Sequence, residues 1–430
     1  MSRTPVRQTT TEEAVRKPSA WWHLLPAGAS PDAAVLLSTR GMRAFGDGFV
    51  SVLLPLHLTT LGFDALRIGA VTTATLVGSA ALTLGVGLVA YRFPRRRLLF
   101  SAAILTIATG IGFFLAHDFW PLLLVAFVGT LNPSSGDVSV FLPLEQALVP
   151  QTVPDAQRTA IFARYSLVGS LVGAFGALCA GVPAFVAAQT GIGLAAALDG
   201  MFLVYALLGL LALLRYRSLS PALEPGAGTP DAPLRESRRT VFTLAALFSL
   251  DALGGGFVVQ SLLALWLFQR YGLSVAAAGT IFFWTGVLSA FSQLVAVPLA
   301  KRFGLVNTMV FTHLPSNIFL MLVPFMPNLP LALACLFARS ALSQMDVPTR
   351  NSYVMAVVTP PERPAAASVT AVPRSLATAL SPLLSGYLFG LSPFGWPLVI
   401  GGALKGVYDV LLLAMFAAKR APEEGPTEKP

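Results

Sequence analysis

From Ala33 almost to Lys419 the chain is a succession of apolar runs, each near the length of about 20 residues that a helix needs to cross a bilayer, and each ended by a short loop of Pro, Gly or charge. The runs predict helices near 34–60, 66–90, 98–116, 121–149, 159–186 and 194–215, then 241–268, 274–299, 306–326, 330–357, 366–391 and 396–418. Only 11% of residues are charged, against about 25% in soluble domains. With 55% apolar residues and a mean hydropathy of +0.72, a soluble globular domain, disorder, a coiled coil and collagen are all excluded. The fold class expected is an all-α polytopic membrane protein: twelve transmembrane helices in two six-helix bundles. Cys179 and Cys335 stand in apolar runs without spaced partners and read as packing residues, and no disulfide, metal or cofactor is indicated.

The basic residues give the orientation. Numbering the loops alternately puts 20 of the 29 Lys and Arg on one side and only Arg67 and Arg270 on the other. Cytoplasmic flanks retain such charges, so both termini are expected in the cytoplasm and the protein in the cytoplasmic (inner) membrane. The net charge of +9 is then an orientation signal and not a nucleic-acid footprint. Residues 1–32 lack a short apolar core followed by a cleavage site, so no cleaved signal peptide is expected. Trp120, Trp266 and Trp396 fall at the predicted outer helix ends, where an amphipathic ring suits the headgroup layer.

A Pro- and Gly-rich polar stretch divides six runs from six. The expected organisation is an N-tail 1–32, a first bundle 33–217, a linker 218–240, a second bundle 241–418 and a C-tail 419–430. The bundles are related by a parallel repeat. Phe45 to Val50 aligns with Leu253 to Val258 at an offset of 208, Ala90 to Phe93 with Ala300 to Phe303 at 210, and Pro143 with Pro348 at 205.

A six-plus-six repeat with both termini inside resembles the major facilitator superfamily over nearly the whole chain. The family's loop signature, Gly-x-x-x-Asp-Arg-x-Gly-Arg-Arg, is approximated after the second helix: Gly87, Arg92, Arg95 and Arg96 fit, while Tyr91 replaces the acid and Pro94 the inner glycine. The second-half copy keeps Arg302 and Gly304 and puts Lys301 at the acid position. The resemblance implies a gating loop there whose acid-dependent latch across the halves is missing. The family's fourth-helix arginine, associated with proton coupling, is also missing from Asn132-Pro133-Ser134-Ser135-Gly136, and Arg339 stands at the repeat-equivalent place.

Intramembrane charge is costly, at least about 2.5–3.5 kcal/mol per group, so it marks partners or a wet path. It concentrates on the first, fourth, seventh and tenth helices, which in the resembled family line the central pathway. The candidates are Arg43 and Asp47; Asp137; Asp251 and Gln260; and Arg339, Gln344, Asp346 and Arg350. Asp47, Asp137 and Asp251 are the expected sites for a proton or a cationic group, and Arg43, Arg339 and Arg350 for an anionic one. By the repeat, Arg43 corresponds to Asp251, and a pair across the halves is geometrically plausible. Static alternatives stand beside these: Arg43 with Asp47, and Asp346 with Arg350, are each one helical turn apart. Glu145 and Arg158 read as loop-flanking and structural; Arg164, Arg374, Lys405 and Asp409 lie on supporting helices and read as structural; His57 and His313 read as packing residues.

No phosphate cradle, serine elbow or zinc helix is present, so an ATP-driven pump or an enzyme is not indicated. The expectation is a secondary transporter, monomeric, moving a small molecule by alternating access with the proton as coupling ion, in efflux. The alternatives are a uniporter or importer of a small metabolite, or a transport-dead membrane sensor. The sign of the substrate's charge stays open.

Overall fold

In the computed structural model, which describes residues 25–89, 93–134, 139–154, 157–223, 235–359 and 362–416, the described residues form helices and no strand. Before the linker come α1 (Pro31–Thr60), α2 (Ala65–Val89), α3 (Arg95–Leu115), α4 (Phe119–Val128), α5 (Phe141–Leu148), α6 (Arg158–Leu178), α7 (Val182–Thr190) and α8 (Leu194–Tyr216). After it come α9 (Arg238–Gly256), α10 (Gln260–Tyr271), α11 (Val275–Phe303), α12 (Leu305–Leu322), α13 (Leu329–Leu342), α14 (Asp346–Val357), α15 (Arg363–Leu391) and α16 (Trp396–Phe416). Eight helical runs among the described residues are long and apolar enough to cross a membrane. α1 and α15 are long enough but more polar, while α4 with α5 and α13 with α14 are broken pieces.

Four expected helices are interrupted: the one at 159–186 tightens at Cys179–Gly181 between α6 and α7, and the other three break more widely. The run at 121–149 stops at Gly129: Pro133 has no N–H to give, and the Asn132 side chain accepts from the Ser134 amide at 3.1 Å and its hydroxyl at 2.7 Å, a local turn that competes with helix. The run at 241–268 breaks after Gly254-Gly255-Gly256, three residues of poor helix propensity. The run at 330–357 breaks at Ser343 and resumes at Asp346. Pro143 and Pro348 each take the third position of the resuming helix, in the first turn, where an amide has no helical acceptor and proline is tolerated.

The two halves share a core at one end only. Phe49, Leu54, Leu58, Phe113 and Phe202 pack with Leu262, Trp266, Phe282, Leu320 and Phe389 in a single buried cluster. At the other end each half has a core of its own: Leu36, Leu99, Leu144, Ile161 and Tyr216 in the first, Val241, Phe248, Met309, Tyr353 and Phe416 in the second. That second end carries Arg95, Arg96, Arg217, Arg238 and Arg302 and is called the basic end below. Trp266 departs from expectation: it is fully buried in the shared core, its indole donating to the Pro393 carbonyl at 3.2 Å, while Trp120 is 75% exposed as expected of a belt residue.

Each half is tied at its basic end by a carboxylate. Asp32 accepts from the Ser220 amide at 2.9 Å. Glu362, just before α15, accepts the amides of Arg235, Glu236 and Ser237 at 2.6, 3.0 and 3.0 Å. The Arg235 amide is the main cause that holds the Glu362 carboxyl down to about 2. A depressed folded value means the tie is intact above the ordinary carboxylate range and is lost only as pH falls toward 2.

Contact between the halves depends on close backbone approach. A Cβ on Gly69 of α2 would lie 2.6 Å from the Pro382 carbonyl oxygen of α15, and one on Gly386 would clash with the Ala65 carbonyl oxygen. Neither helix can yield without separating from the other. Gly386→Val is expected to wedge α2 from α15, destabilising this closed arrangement by about 1–3 kcal/mol. The measurement is the distance between spin labels across the shared-core end, which lengthens in the variant.

Candidate functional site

Two charged networks occupy repeat-related places with their signs exchanged. The offset of 208 that relates the first and seventh expected helices carries Arg43 onto Asp251, and the offset of 205 relating Pro143 to Pro348 carries Glu145 onto Arg350. In the first half Arg43 of α1 meets Glu145 of α5 side-on, Nη1 to Oε1 at 2.7 Å and Nη2 to Oε2 at 2.5 Å. Glu145 also accepts from the hydroxyls of Tyr165, Tyr216 and Thr39, and the Arg43 guanidinium lies 4.3 Å from the Phe141 ring centroid. Both charges are buried and every carboxylate oxygen is bonded, which is what makes an ion pair tolerable in an apolar bundle. Arg43 therefore forms no ion pair with Asp47 and none across the halves with Asp251, because a better acceptor stands opposite it within its own half. Glu145, read from sequence as a loop-flanking residue, is that acceptor.

In the second half Asp251 of α9 receives the Lys405 ammonium of α16 at 2.5 Å and the Arg350 guanidinium of α14 at 3.1 Å. Arg350 also reaches Asp346, one turn earlier, at 3.4 Å. The network continues through His313 of α12, whose Nδ1 is 2.8 Å from Asp409 and whose Nε2 faces Lys405 at 3.5 Å. Asn317 donates to the other Asp409 oxygen at 2.8 Å. In a neutral ring a proton on Nδ1 would donate to the carboxylate and leave Nε2 to accept from the ammonium, while the Asn317 amide nitrogen, 3.2 Å from Nδ1, donates instead to Asp409. His313, Lys405 and Asp409 are thus part of the network, not isolated supports. The signal was present in their spacing, since His313/Asn317 and Lys405/Asp409 each set two polar groups one turn apart on an apolar helix.

A cavity of about 560 Å³ lies between the halves and separates the two networks in kind. Asp251, His313, Asp346, Arg350 and Lys405 line it, as do Arg339, Gln260 and Gln344, whereas Arg43 and Glu145 do not. From the first half it is faced by Arg40, Gln146, Tyr165 and Ser166 among others. The shared core bounds it on one side, where Gln260 donates to Ser51 at 2.9 Å and the Ser261 amide to the Pro133 carbonyl at 3.2 Å, both bonds crossing between halves.

Asp47 is buried but faces a separate small crevice between α1, α3 and α8, beside Thr106, Thr130 and Tyr205, and forms no hydrogen bond or ion pair with any described residue. Asp137 and Arg92 lie outside the described residues. At the start of α3, Arg95 donates to the Ala147 carbonyl at 3.3 Å and Arg96 to the Arg217 carbonyl at 2.6 Å, both within the first half. Gly87 is in the last turns of α2; Arg302 is exposed at the end of α11, and Gly304 makes the turn into α12 at φ +87°. His57, read as packing, is buried against Phe202, its ring centroid 4.8 Å away, with Asp199 at 3.4 Å.

Two like helical halves closed at one end around a polar crevice define the class: a membrane carrier. The sequence model of the Major Facilitator Superfamily matches twice, over residues 36–262 and 244–430, so between them the matches cover nearly the whole chain. The chain belongs to the major facilitator superfamily of membrane transporters. It is 26% identical over 426 residues to the uncharacterized membrane protein YJR124C of Saccharomyces cerevisiae, covering 90% of this chain and 94% of that one. Its fold is similar to that of a bacterial homologue of the human lysosomal transporter Spinster, solved inward-facing and occupied, with TM-score 0.70, 16% identity and coverage of 92% and 98%. It is also similar to the nucleoside transporter NupG, with TM-score 0.65, 15% identity and coverage of 91% and 100%.

The dry pair sets the prediction here. Removing one partner leaves a buried charge uncompensated, so Glu145→Gln and Arg43→Gln are each expected to destabilise by about 3–5 kcal/mol. The double variant, with no net charge to bury, is expected to melt closer to the unaltered protein than either single one, read by thermal unfolding in detergent.

Proposed function

We propose that the chain is a secondary active transporter that moves a small solute by alternating access, with protons as the coupling ion and efflux as its direction. In this reading there are twelve spans, α4 with α5, α6 with α7, α9 with α10 and α13 with α14 each counting as one. Residues 33–217 and 241–418 are the two bundles, joined by the linker 218–240, and the basic end faces the cytoplasm. The observation that carries the reading is the unequal packing of the halves: one common core at one end, two separate cores at the basic end, and a cavity between. That is the arrangement of an inward-open carrier, and the Spinster homologue to which the chain is similar is itself described as inward-facing. Rocking about the cavity would exchange which end shares a core.

Asp47 is the residue we assign to the proton. Unlike Glu145 and Asp251 it has no salt bridge among the described residues, so a proton can arrive or leave without one being broken. The Asp251, Lys405 and His313 network, with Gln344 and Arg339, is assigned to the solute side.

The test needs no known substrate. With Cys179 and Cys335 replaced by Ser, spin labels go on Arg97→Cys and Asn307→Cys at the basic end, and on Asp118→Cys and Pro327→Cys at the other, all exposed positions. In lipid nanodiscs each pair is expected to show two distances, the basic-end pair shortening as the other lengthens. A step from mildly acidic to mildly alkaline pH is expected to shift the ratio, and Asp47→Asn to abolish that shift. A single unchanging distance in both pairs defeats the carrier reading, while alternation indifferent to pH marks a uniporter.

A further inference from the structure

We propose that the cavity takes a small organic anion, its carboxylate or phosphate group held by Arg40 of the first half and Arg339 of the second. The inference rests on the carrier reading above and adds the sign and chemistry of the solute.

Five basic side chains line the cavity, Arg40, Arg339, Arg350, Arg374 and Lys405, against two described carboxylates, Asp251 and Asp346. Those two carboxylates are already engaged: Asp251 by Lys405 and Arg350, Asp346 by Arg350. Arg40 and Arg339 have no ion pair or hydrogen-bond acceptor for their side chains among the described residues, and the Nε of each is buried with no partner. The ring of Tyr165 lies 5.2 Å from the guanidinium carbon of Arg40. Asp47 acts on Arg40 only at a distance, with no ion pair between them.

An arginine without a counter-charge inside a bilayer is costly unless it faces water or a ligand that supplies the charge. Here two such arginines face one cavity from opposite halves. The guanidinium is a planar fork of donors that matches the two oxygens of a carboxylate or a phosphate, whereas a cationic solute would meet a wall with excess positive charge. Gly169 of α6 keeps the place open: a Cβ there would lie 2.5 Å from the Arg40 guanidinium. The volume of about 560 Å³ lies within the range of small-molecule sites. Because each half contributes one arginine, an anion binding both would favour approach of the halves around it, the differential affinity that a substrate-driven change of state requires.

The test uses the purified full chain. Arginine modification by p-hydroxyphenylglyoxal is followed at Arg339 by mass spectrometry, with inorganic phosphate, citrate and benzoate as anionic probes and tetramethylammonium and glucose as controls. At least one anion is expected to slow modification about fivefold and to raise the melting temperature, with affinity about tenfold weaker in Arg339→Gln and in Arg40→Gln and partly kept in Arg339→Lys. Protection by none of the three anions, or by tetramethylammonium, overturns the proposal. Repeating the labelling in nanodiscs of zwitterionic and of anionic lipid separates the sources: protection by anionic lipid alone assigns the arginines to a lipid head group and also overturns it. If the spin labels alternate while the anions fail, only the anion is lost; fixed spin labels remove the carrier reading whatever binds.

Discussion

Charge inside hydrocarbon has to be compensated, and this chain compensates it in two ways. Arg43 and Glu145 answer each other completely, with tyrosine and threonine hydroxyls covering the remaining carboxylate valences. Such a pair gains little net stability over apolar packing, yet it fixes how α1, α5, α6 and α8 sit together, because removing Arg43 or Glu145 strands a charge and removing a tyrosine hydroxyl leaves a carboxylate oxygen short of a donor. The corresponding place in the other half holds the same chemistry reversed, Asp251 against Arg350, but opened to the cavity and extended through Lys405, His313 and Asp409. One duplicated framework thus carries one version enclosed within its half and another that borders the cavity.

The helix breaks belong to the same logic. Backbone that leaves the helix at membrane depth is tolerated where it is buried in protein or lines a wet space. The breaks near Pro133, Phe257 and Ser343 lie next to the cavity or to the bonds that bound it, and two of those bonds, Gln260 to Ser51 and Ser261 to Pro133, cross between the halves. Proline within the first turn of α5 and α14 restarts each helix at the same step of the repeat.

Much of this was legible in the chain itself. The apolar runs gave the helical character, and the repeat of Gly, Phe and Pro positions gave the two matched halves. Individual ion pairs were less legible, since helical spacing reveals only neighbours on one helix. Asp346 with Arg350 was readable for that reason. Arg43 with Glu145, 102 positions apart, depends on which face of α5 turns inward after an irregular segment, and periodicity carries no such information. Lys405 reads as structural from its supporting helix and His313 as packing for want of a second ligand at metal spacing; the polar pairs one turn apart, His313/Asn317 and Lys405/Asp409, are the better guide. Trp266 was misplaced because a tryptophan near a helix end fits a headgroup or a core equally well until its neighbours are known.

The common core at one end has an electrical consequence. An ion that strayed from the cavity toward that end would have to shed its hydration among Phe, Leu and Trp side chains that offer nothing in exchange. A plug of that kind insulates, so this end of the molecule resists the passage of ions.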